Sequence, residues 1–309
     1  MKIAVVGTGG VGGYFGGRLA AAGNAVTFIA RGAHLEAIQR NGLTIRSSRG
    51  DLHLDDVHAV ESVLKIETVD LILIAVKLWD TEEIAQALRP VVEEGAAVLS
   101  LQNGVEKDEV LRRFLPRKSI LGGICYISAS IVGPGVIAHH GDIQRMAFGE
   151  YSGQESARTQ TILEVCRNAA IDAEISLDIE RLIWEKFVFL VGLSGTTTSM
   201  RQTIGNIRQN PRTRSFLLDL MREVVDLGRS RGVDLSEDYA ADRLDFCDSL
   251  PASMTSSMHA DLERGNRLEL PWLSGGVVRL GKDHDIGTPL NRAVSDILEP
   301  FVLGSVQRI

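Results

Sequence analysis

The sequence predicts an N-terminal α/β domain, built on a doubly wound parallel sheet, followed by an all-α C-terminal domain. Three observations carry that expectation. A buried-strand run from Lys2 to Val6 feeds directly into Gly7-Thr8-Gly9-Gly10-Val11-Gly12, a G-x-G-x-x-G spacing. Short apolar runs then alternate with helical periodicity through the first half of the chain. From about residue 178 the strand-like runs vanish and long helical patterns take over.

The elements follow in order. Runs at 3–6, 25–30, 71–76, 97–101 and 120–125 are short and β-branched enough to be parallel strands. Helical patterns fall between several of them, at 14–22, 34–40, 82–89 (with Thr81 as N-cap) and about 106–114. Residues 42–58 alternate polar and apolar and read as a short hairpin. Segment 126–150, with Gly133-Pro134-Gly135, reads as extended chain and turns completing an edge of the sheet. A helix at 155–170 and a strand at 173–177 close this half. Helices are then expected at 179–193, 211–231, 236–249, 253–264 and 271–283. The domains are thus expected at 1–177 and 178–309, without a flexible linker, with substrate expected in the cleft between them.

The glycine run gives the first half its chemistry. The apolar strand must turn sharply at Gly7, Gly9 lets backbone approach a pyrophosphate, and Gly12 lets the next helix pack on the sheet. The free N–H groups at that helix start face the phosphates, so Gly7, Thr8, Gly9, Gly10, Val11 and Gly12 form the expected cofactor loop of a Rossmann-type domain. The second strand ends in Ala30-Arg31-Gly32, with no acid to accept from a ribose 2′-hydroxyl. A guanidinium there suits a 2′-phosphate, which favours NADP(H) over NAD(H); the alternative is a solvated surface arginine.

Composition narrows the class further. Hydrophobic content of 44% and charged content of 24% are ordinary for a globular protein of 309 residues. A net charge of −7 without basic blocks argues against nucleic acid as a partner. The apolar runs are too short to span a bilayer, and MKIAVVG lacks the layout of a signal peptide. Cys125, Cys166 and Cys247 have neither metal nor C-x-x-C spacing, and His139, His140 and His259 lack metal-ligand spacing. A cytoplasmic protein with reduced thiols and no metal is expected. A homodimer is compatible with the sequence.

Reduction of a carbonyl requires a group that protonates the developing alkoxide and donors that hold the substrate. Lys77 directly follows the strand at 71–76, and Asn103, in Gln102-Asn103-Gly104, follows the strand at 97–101. Both stand where open α/β sheets bind ligands, although surface or turn chemistry would also place them there. In the helical half, Trp184, Phe187 and Val191 make a core stripe with Lys186 beside it. Lys186 is either a partly desolvated general acid or an ammonium reaching water from a helix edge. Glu269 precedes Leu270-Pro271 near a helix start, where a cap explains it as well as catalysis does. Ser257 and Asp261 share one helix face.

Taken together, the glycine loop, Arg31, Lys77, Gln102-Asn103-Gly104, Trp184-Glu185-Lys186, Ser256-Ser257-Met258 and Glu269 resemble the ketopantoate reductase (2-dehydropantoate 2-reductase) family. The resemblance extends over essentially the full length, through the Gly205–Pro211 segment and Ile286-Gly287-Thr288-Pro289. It implies hydride transfer from NADPH to a 2-keto acid, ketopantoate first, in pantothenate biosynthesis. It also implies Lys186 as general acid and Glu269 as its catalytic partner on the substrate. Asn103, Ser194 and Ser257 would contact substrate, and Lys77 and Asn103 the cofactor. The departures are confined to substrate-side positions: Leu190, Ser194 and Ile204 stand where the family has asparagines, and Ser274-Gly275 where it has Asn-Gly. A less polar 2-oxoacid, a 3-hydroxyacid dehydrogenase and a non-catalytic NADP(H) sensor are the alternatives.

Overall fold

The computed structural model describes residues 1–305. The chain divides into two compact units, Met1–Glu180 and Arg181–Ile309. In the first unit the strands are β1 Lys2–Val6, β2 Ala25–Ile29, β3 Leu43–Arg46, β4 Leu52–Leu54, β5 Ala59–Val60, β6 Leu71–Ile74, β7 Ala97–Ser100, β8 Ile120–Gly133, β9 Val136–Gly149 and β10 Asp172–Ile175. Its helices are α1 Gly10–Ala21, α2 Gly32–Asn41, α3 Thr81–Glu93, α4 Lys107–Phe114 and α5 Ala157–Asn168.

The sheet order is β4-β3-β9-β8-β7-β6-β1-β2-β5, with β10 also pairing β9. From β8 to β5 the pairs are parallel. Strand side chains alternate between faces, so one sheet feeds two cores. Ile3, Val5, Leu71 and Leu73 pack with Tyr14, Phe15 and Leu19 of α1. Ala4, Val6, Ile72 and Ile74 pack with Ile84 and Leu88 of α3 and Leu111 of α4. Helices on both faces of a parallel sheet make this the doubly wound architecture the alternation predicts.

The differences from expectation have local causes. Helix α1 begins at Gly10, not near residue 14, although glycine is a poor helix former. Its glycines lie against the sheet, where a Cβ on Gly13 would meet Ile137, on Gly16 Phe28, and on Gly17 Ile45. Close packing overrides propensity there. The predicted hairpin at 42–58 is β3 and β4, paired antiparallel. Segment 126–150 is not an edge: it forms most of the long antiparallel hairpin of β8 and β9, inside the strand order. Along its free side β9 takes β3 near its start and β10 near its end. Thr81 is not the N-cap but the first residue of α3, after Asp80, and its hydroxyl accepts from Gln102.

The second unit is helical. The helix α6, Ile179–Met200, carries the chain into it, followed by α7 Ile204–Gln209, α8 Pro211–Ser230, α9 Tyr239–Ser249, α10 Ser257–Glu263, α11 Ser274–Asp283 and α12 Pro289–Leu298. Trp184, Phe187 and Val191 are buried as the stripe predicts, with the two rings edge to face at 5.8 Å. Helix α6 runs seven residues past the predicted end at 193. The Thr196 and Thr197 hydroxyls donate to the carbonyls of Gly192 and Leu193 one turn back, keeping these β-branched residues compatible with helix. Helices α7 and α12 lie outside the helical patterns expected from the sequence. The expected helix at 271–283 is a 3-10 turn, Leu270–Trp272, followed by α11. Among the described residues no helix is long and apolar enough to cross a membrane.

Candidate active site

The strand register brings several of the singled-out residues of the first unit to one level. Val6 is paired with both Ile29 and Ile74, and Ile74 with Ser100. Counting on from these partners, Gly9, Gly32, Lys77 and Asn103 each lie three residues beyond the same rung, and Arg31 two. They crown the carboxyl ends of β1, β2, β6 and β7. The chain leaves β1 for β2 on one side and returns to β6 on the other, so the glycine turn stands at the topological switch point.

The turn itself is built by close contacts. Gly7 has φ +98°, and a Cβ on it would lie 2.7 Å from the Val76 nitrogen. A Cβ on Gly12 would lie 2.1 Å from the Gly7 carbonyl oxygen, so α1 can start this close to β1 only with glycine. Gly9 differs from both: a Cβ there meets nothing within 4 Å. Open space before a helix N-terminus suits a phosphate. Thr8 is buried, with its N–H and hydroxyl each donating to Ile29 O at 2.9 Å. The β8–β9 hairpin closes one side of the loop, because a Cβ on Gly10 would strike Ala129 O.

Arg31 is exposed at the tip of β2 and precedes α2. It lines a cleft of about 430 Å³ with Gly32, Leu35, Glu36, Glu61 and Lys65 among its other walls. Lys65 forms an ion pair with Glu61 at 2.9 Å, which holds the Glu61 carboxyl below its usual range. The open space at Gly9 and the exposed Arg31 guanidinium at this cleft, whose walls carry Glu36 and Glu61 as well as Lys65, fit a dinucleotide running from the glycine turn towards β2 and β5. Lys77 is half-buried, with its ammonium 5.8 Å from the centroid of the Trp79 ring. Asn103 is half-buried in the loop after β7.

In the second unit Lys186 and Leu190 are half-buried on α6, one turn apart. Glu269 is 7% exposed, and its carbonyl accepts from the Trp272 and Leu273 N–H groups of the following turn. Ser257 is exposed as the first residue of α10, while Ser256 is the N-cap, accepting from His259 N at 3.0 Å. Ser194, Ile204 and Ser274 are all fully buried. The hydroxyls of Ser194 and Ser274 have no hydrogen-bond partner among the described residues. Leu190 is thus the one of these four departures from the asparagine pattern that is not fully buried.

Several residues of the site are marked by no motif of their own, Lys65 and Trp79 among them. His34 makes its contacts across long sequence separations, so nothing local marks it; Gln102 stands in the Gln102-Asn103-Gly104 motif, but its partners Val76 and Thr81 lie 26 and 21 residues away.

The fold and its switch-point loop define a dinucleotide-binding α/β domain coupled in one chain to a helical domain. The ketopantoate reductase PanE/ApbA model matches residues 3–153 and its C-terminal model residues 178–301. A 2-dehydropantoate 2-reductase of Archaeoglobus fulgidus is 30% identical over 298 residues, covering 96% of each chain. An uncharacterized oxidoreductase, YkpB, of Bacillus subtilis is 29% identical, covering 97% of this chain and 99% of its own. The crystal structure of 2-dehydropantoate 2-reductase from Geobacter metallireducens superposes with a TM-score of 0.90 at 29% identity, covering 97% of this chain and 99% of that one. The chain belongs to the ketopantoate reductase family, oxidoreductases that act on CH–OH groups with a nicotinamide cofactor.

Proposed function

We propose that this protein is an NADPH-dependent 2-oxoacid reductase, with ketopantoate as the first substrate to test. The observation that carries this reading is the common level of Gly9, Gly32, Lys77 and Asn103 above the parallel strands, with Arg31 one residue before it, in a chain of this family. The first-turn N–H groups of α1, behind Gly7 to Gly12, bind the pyrophosphate, with Thr8 anchored beneath. Arg31, helped by Lys65 across the cleft, holds the 2′-phosphate and so favours NADPH. Lys77 and Asn103 orient the cofactor's reactive end. When bound, the nicotinamide supplies the hydride for the 2-keto carbon.

The chain supplies the proton and the grip on the substrate. Lys186, half-buried in an apolar stretch, donates a proton to the nascent 2-hydroxyl oxygen. Glu269 accepts a hydrogen bond from the substrate hydroxyl and shares in the return of that proton. Asn103 and Ser257 are the proposed polar contacts for substrate; Ser194, the third that the resemblance implies, has its hydroxyl fully buried. By this reading Met1–Glu180 is the nucleotide unit and Arg181–Ile309 carries the proton donor.

Leu190 favours a variant of the same reading. An isobutyl group in place of an amide, one turn from Lys186, cannot pair with a polar substituent and discriminates against one left unpaired. A 2-oxoacid with an apolar tail would suit it better than ketopantoate. The deciding experiment follows NADPH absorbance across a panel of 2-oxoacids that includes ketopantoate. Turnover of ketopantoate supports the first form, and turnover only of apolar-tailed acids supports the second. No turnover of any member sinks the reductase reading in favour of a cofactor-binding sensor.

A further inference from the structure

We propose that Gln102 is a positioning residue that locks together the two strand-end loops carrying Lys77 and Asn103. The inference rests on the reading of those two residues as cofactor contacts. Gln102 is 5% exposed, and its side-chain amide has every strong donor and acceptor engaged. Nε2 donates to Val76 O at 3.0 Å and to Thr81 Oγ1 at 2.7 Å, while Oε1 accepts from Ser100 Oγ at 3.0 Å. These bonds also fix which end of the amide carries nitrogen, because Val76 O can only accept.

The two Nε2 bonds clip the β6–α3 connection at both ends. Val76 O belongs to the peptide that leads into Lys77, and Thr81 begins α3. Lys77 therefore stands in a short loop whose entry and exit are tied to one side chain. The backbone of Gln102 leads equally directly into Asn103. Any shift of Gln102 moves both functional residues, and neither loop can relax without breaking a bond to the other.

The clip has its own foundation. Lys107, 1% exposed, donates from Nζ to Ser100 O at 3.2 Å and pairs with Asp108 Oδ2 at 2.9 Å. Tyr151 donates its hydroxyl to the same oxygen at 2.6 Å, and the Arg112 guanidinium lies 3.7 Å over the Tyr151 ring. Burial and Asp108 both raise the pKa of the Tyr151 phenol, so it remains a donor. A buried hydrogen-bonded network converging on Asp108 Oδ2 favours one geometry of the β7 end, with Asp108 Oδ1 left without a partner among the described residues.

A double-mutant cycle separates positioning from simple stabilisation. Gln102→Met conserves length and apolar volume and removes both donors. NADPH and NADH are titrated by fluorescence into wild type, Gln102→Met, Lys77→Ala and the double variant, with thermal unfolding followed in parallel. Gln102→Met is expected to weaken the preferred dinucleotide about tenfold. In the Lys77→Ala background Gln102→Met is expected to cost clearly less than in wild type, because the part of the clip that acts through Lys77 is already lost and only the part through Asn103 remains. Losses that multiply, or a Gln102→Met protein that binds like wild type, overturn the proposal. Should Gln102→Met fail to fold, Thr81→Val removes one clip bond at constant shape, and its loss must likewise shrink in the Lys77→Ala background. Wild-type turnover of the 2-oxoacid panel is read separately: its absence removes the reductase reading and leaves the binding cycle interpretable.

Discussion

The imidazole of His34 donates from Nε2 to the carbonyl of Thr8 at 2.8 Å, tying the start of α2 to the glycine turn. The tautomer follows from the other nitrogen, since Nδ1 accepts from Gly135 N at 3.0 Å and must be unprotonated. Gly135 O in turn accepts from Thr44 N at 2.9 Å. One neutral ring thus joins the glycine loop, α2 and the turn between β8 and β9. Protonation would turn Nδ1 into a donor facing a donor.

Burial lowers the His34 pKa from 6.5, more than the Thr8 carbonyl raises it. The folded state therefore resists a proton that the unfolded chain accepts. The stabilisation is fully present above pH 6.5 and is lost as pH falls through the depressed folded value. Removing the ring in His34→Ala is expected to cost about 1 kcal/mol at neutral pH and less in acid. Thermal unfolding of both proteins from about pH 8 to about pH 5 tests this; parallel profiles would refute it.

The glycines of the turn predict opposite outcomes for the same substitution. Gly12→Ala forces a Cβ onto the Gly7 carbonyl and is expected to destabilise the protein by about 3 kcal/mol or more. Gly9→Ala finds open space and an ordinary backbone, so its melting temperature should match wild type while NADPH binding weakens at least about tenfold. Equal NADPH affinity in folded Gly9→Ala would show that no phosphate sits there.

Cofactor choice is predicted to reside in Arg31. Arg31→Ala should weaken NADPH about tenfold to a hundredfold and leave NADH nearly unchanged, since only the former has a 2′-phosphate to lose. Equal losses for both dinucleotides would make Arg31 a surface residue.

Proton transfer is predicted to reside in Lys186. Lys186→Ala should lower kcat about a hundredfold or more while NADPH affinity stays within about twofold. Unchanged kcat would remove Lys186 from the chemistry. Glu269→Gln is expected to lower kcat with a smaller change in KM, measured on the same accepted 2-oxoacid.

Stability of the helical unit has a separate centre. The Glu223 carboxylate accepts from Leu290 N at 2.7 Å and Asn291 N at 2.9 Å, where the first turn of α12 has orphan donors. Asn291 Nδ2 donates to it as well, at 2.8 Å. Glu223→Ala should cost about 2 to 3 kcal/mol in unfolding by urea and leave dinucleotide affinity unchanged. A loss of under about 0.5 kcal/mol would mean that solvent replaces the carboxylate.

The chain sequence by itself determined the units that close over short distances. A strand, a glycine turn and a helix are neighbours in sequence, so β1, the turn and α1 were legible, as were the β6 and β7 runs ahead of Lys77 and Asn103. The buried stripe at Trp184, Phe187 and Val191 was legible because a helix repeats on one face. Only the tertiary structure decided what depends on partners far along the chain. The insertion of β8 and β9 within the strand order is a pairing choice that extended segments do not encode locally. Helix α1 starts at Gly10 because the sheet accepts its glycine face, against the intrinsic cost of glycine. Gln102 reaches Thr81 across 21 residues and His34 reaches Gly135 across 101, so the sequence shows Gln102 only as the motif neighbour of Asn103 and does not mark His34 at all. Local periodicity reports which backbone forms; long-range hydrogen bonds and close contacts decide where that backbone is held.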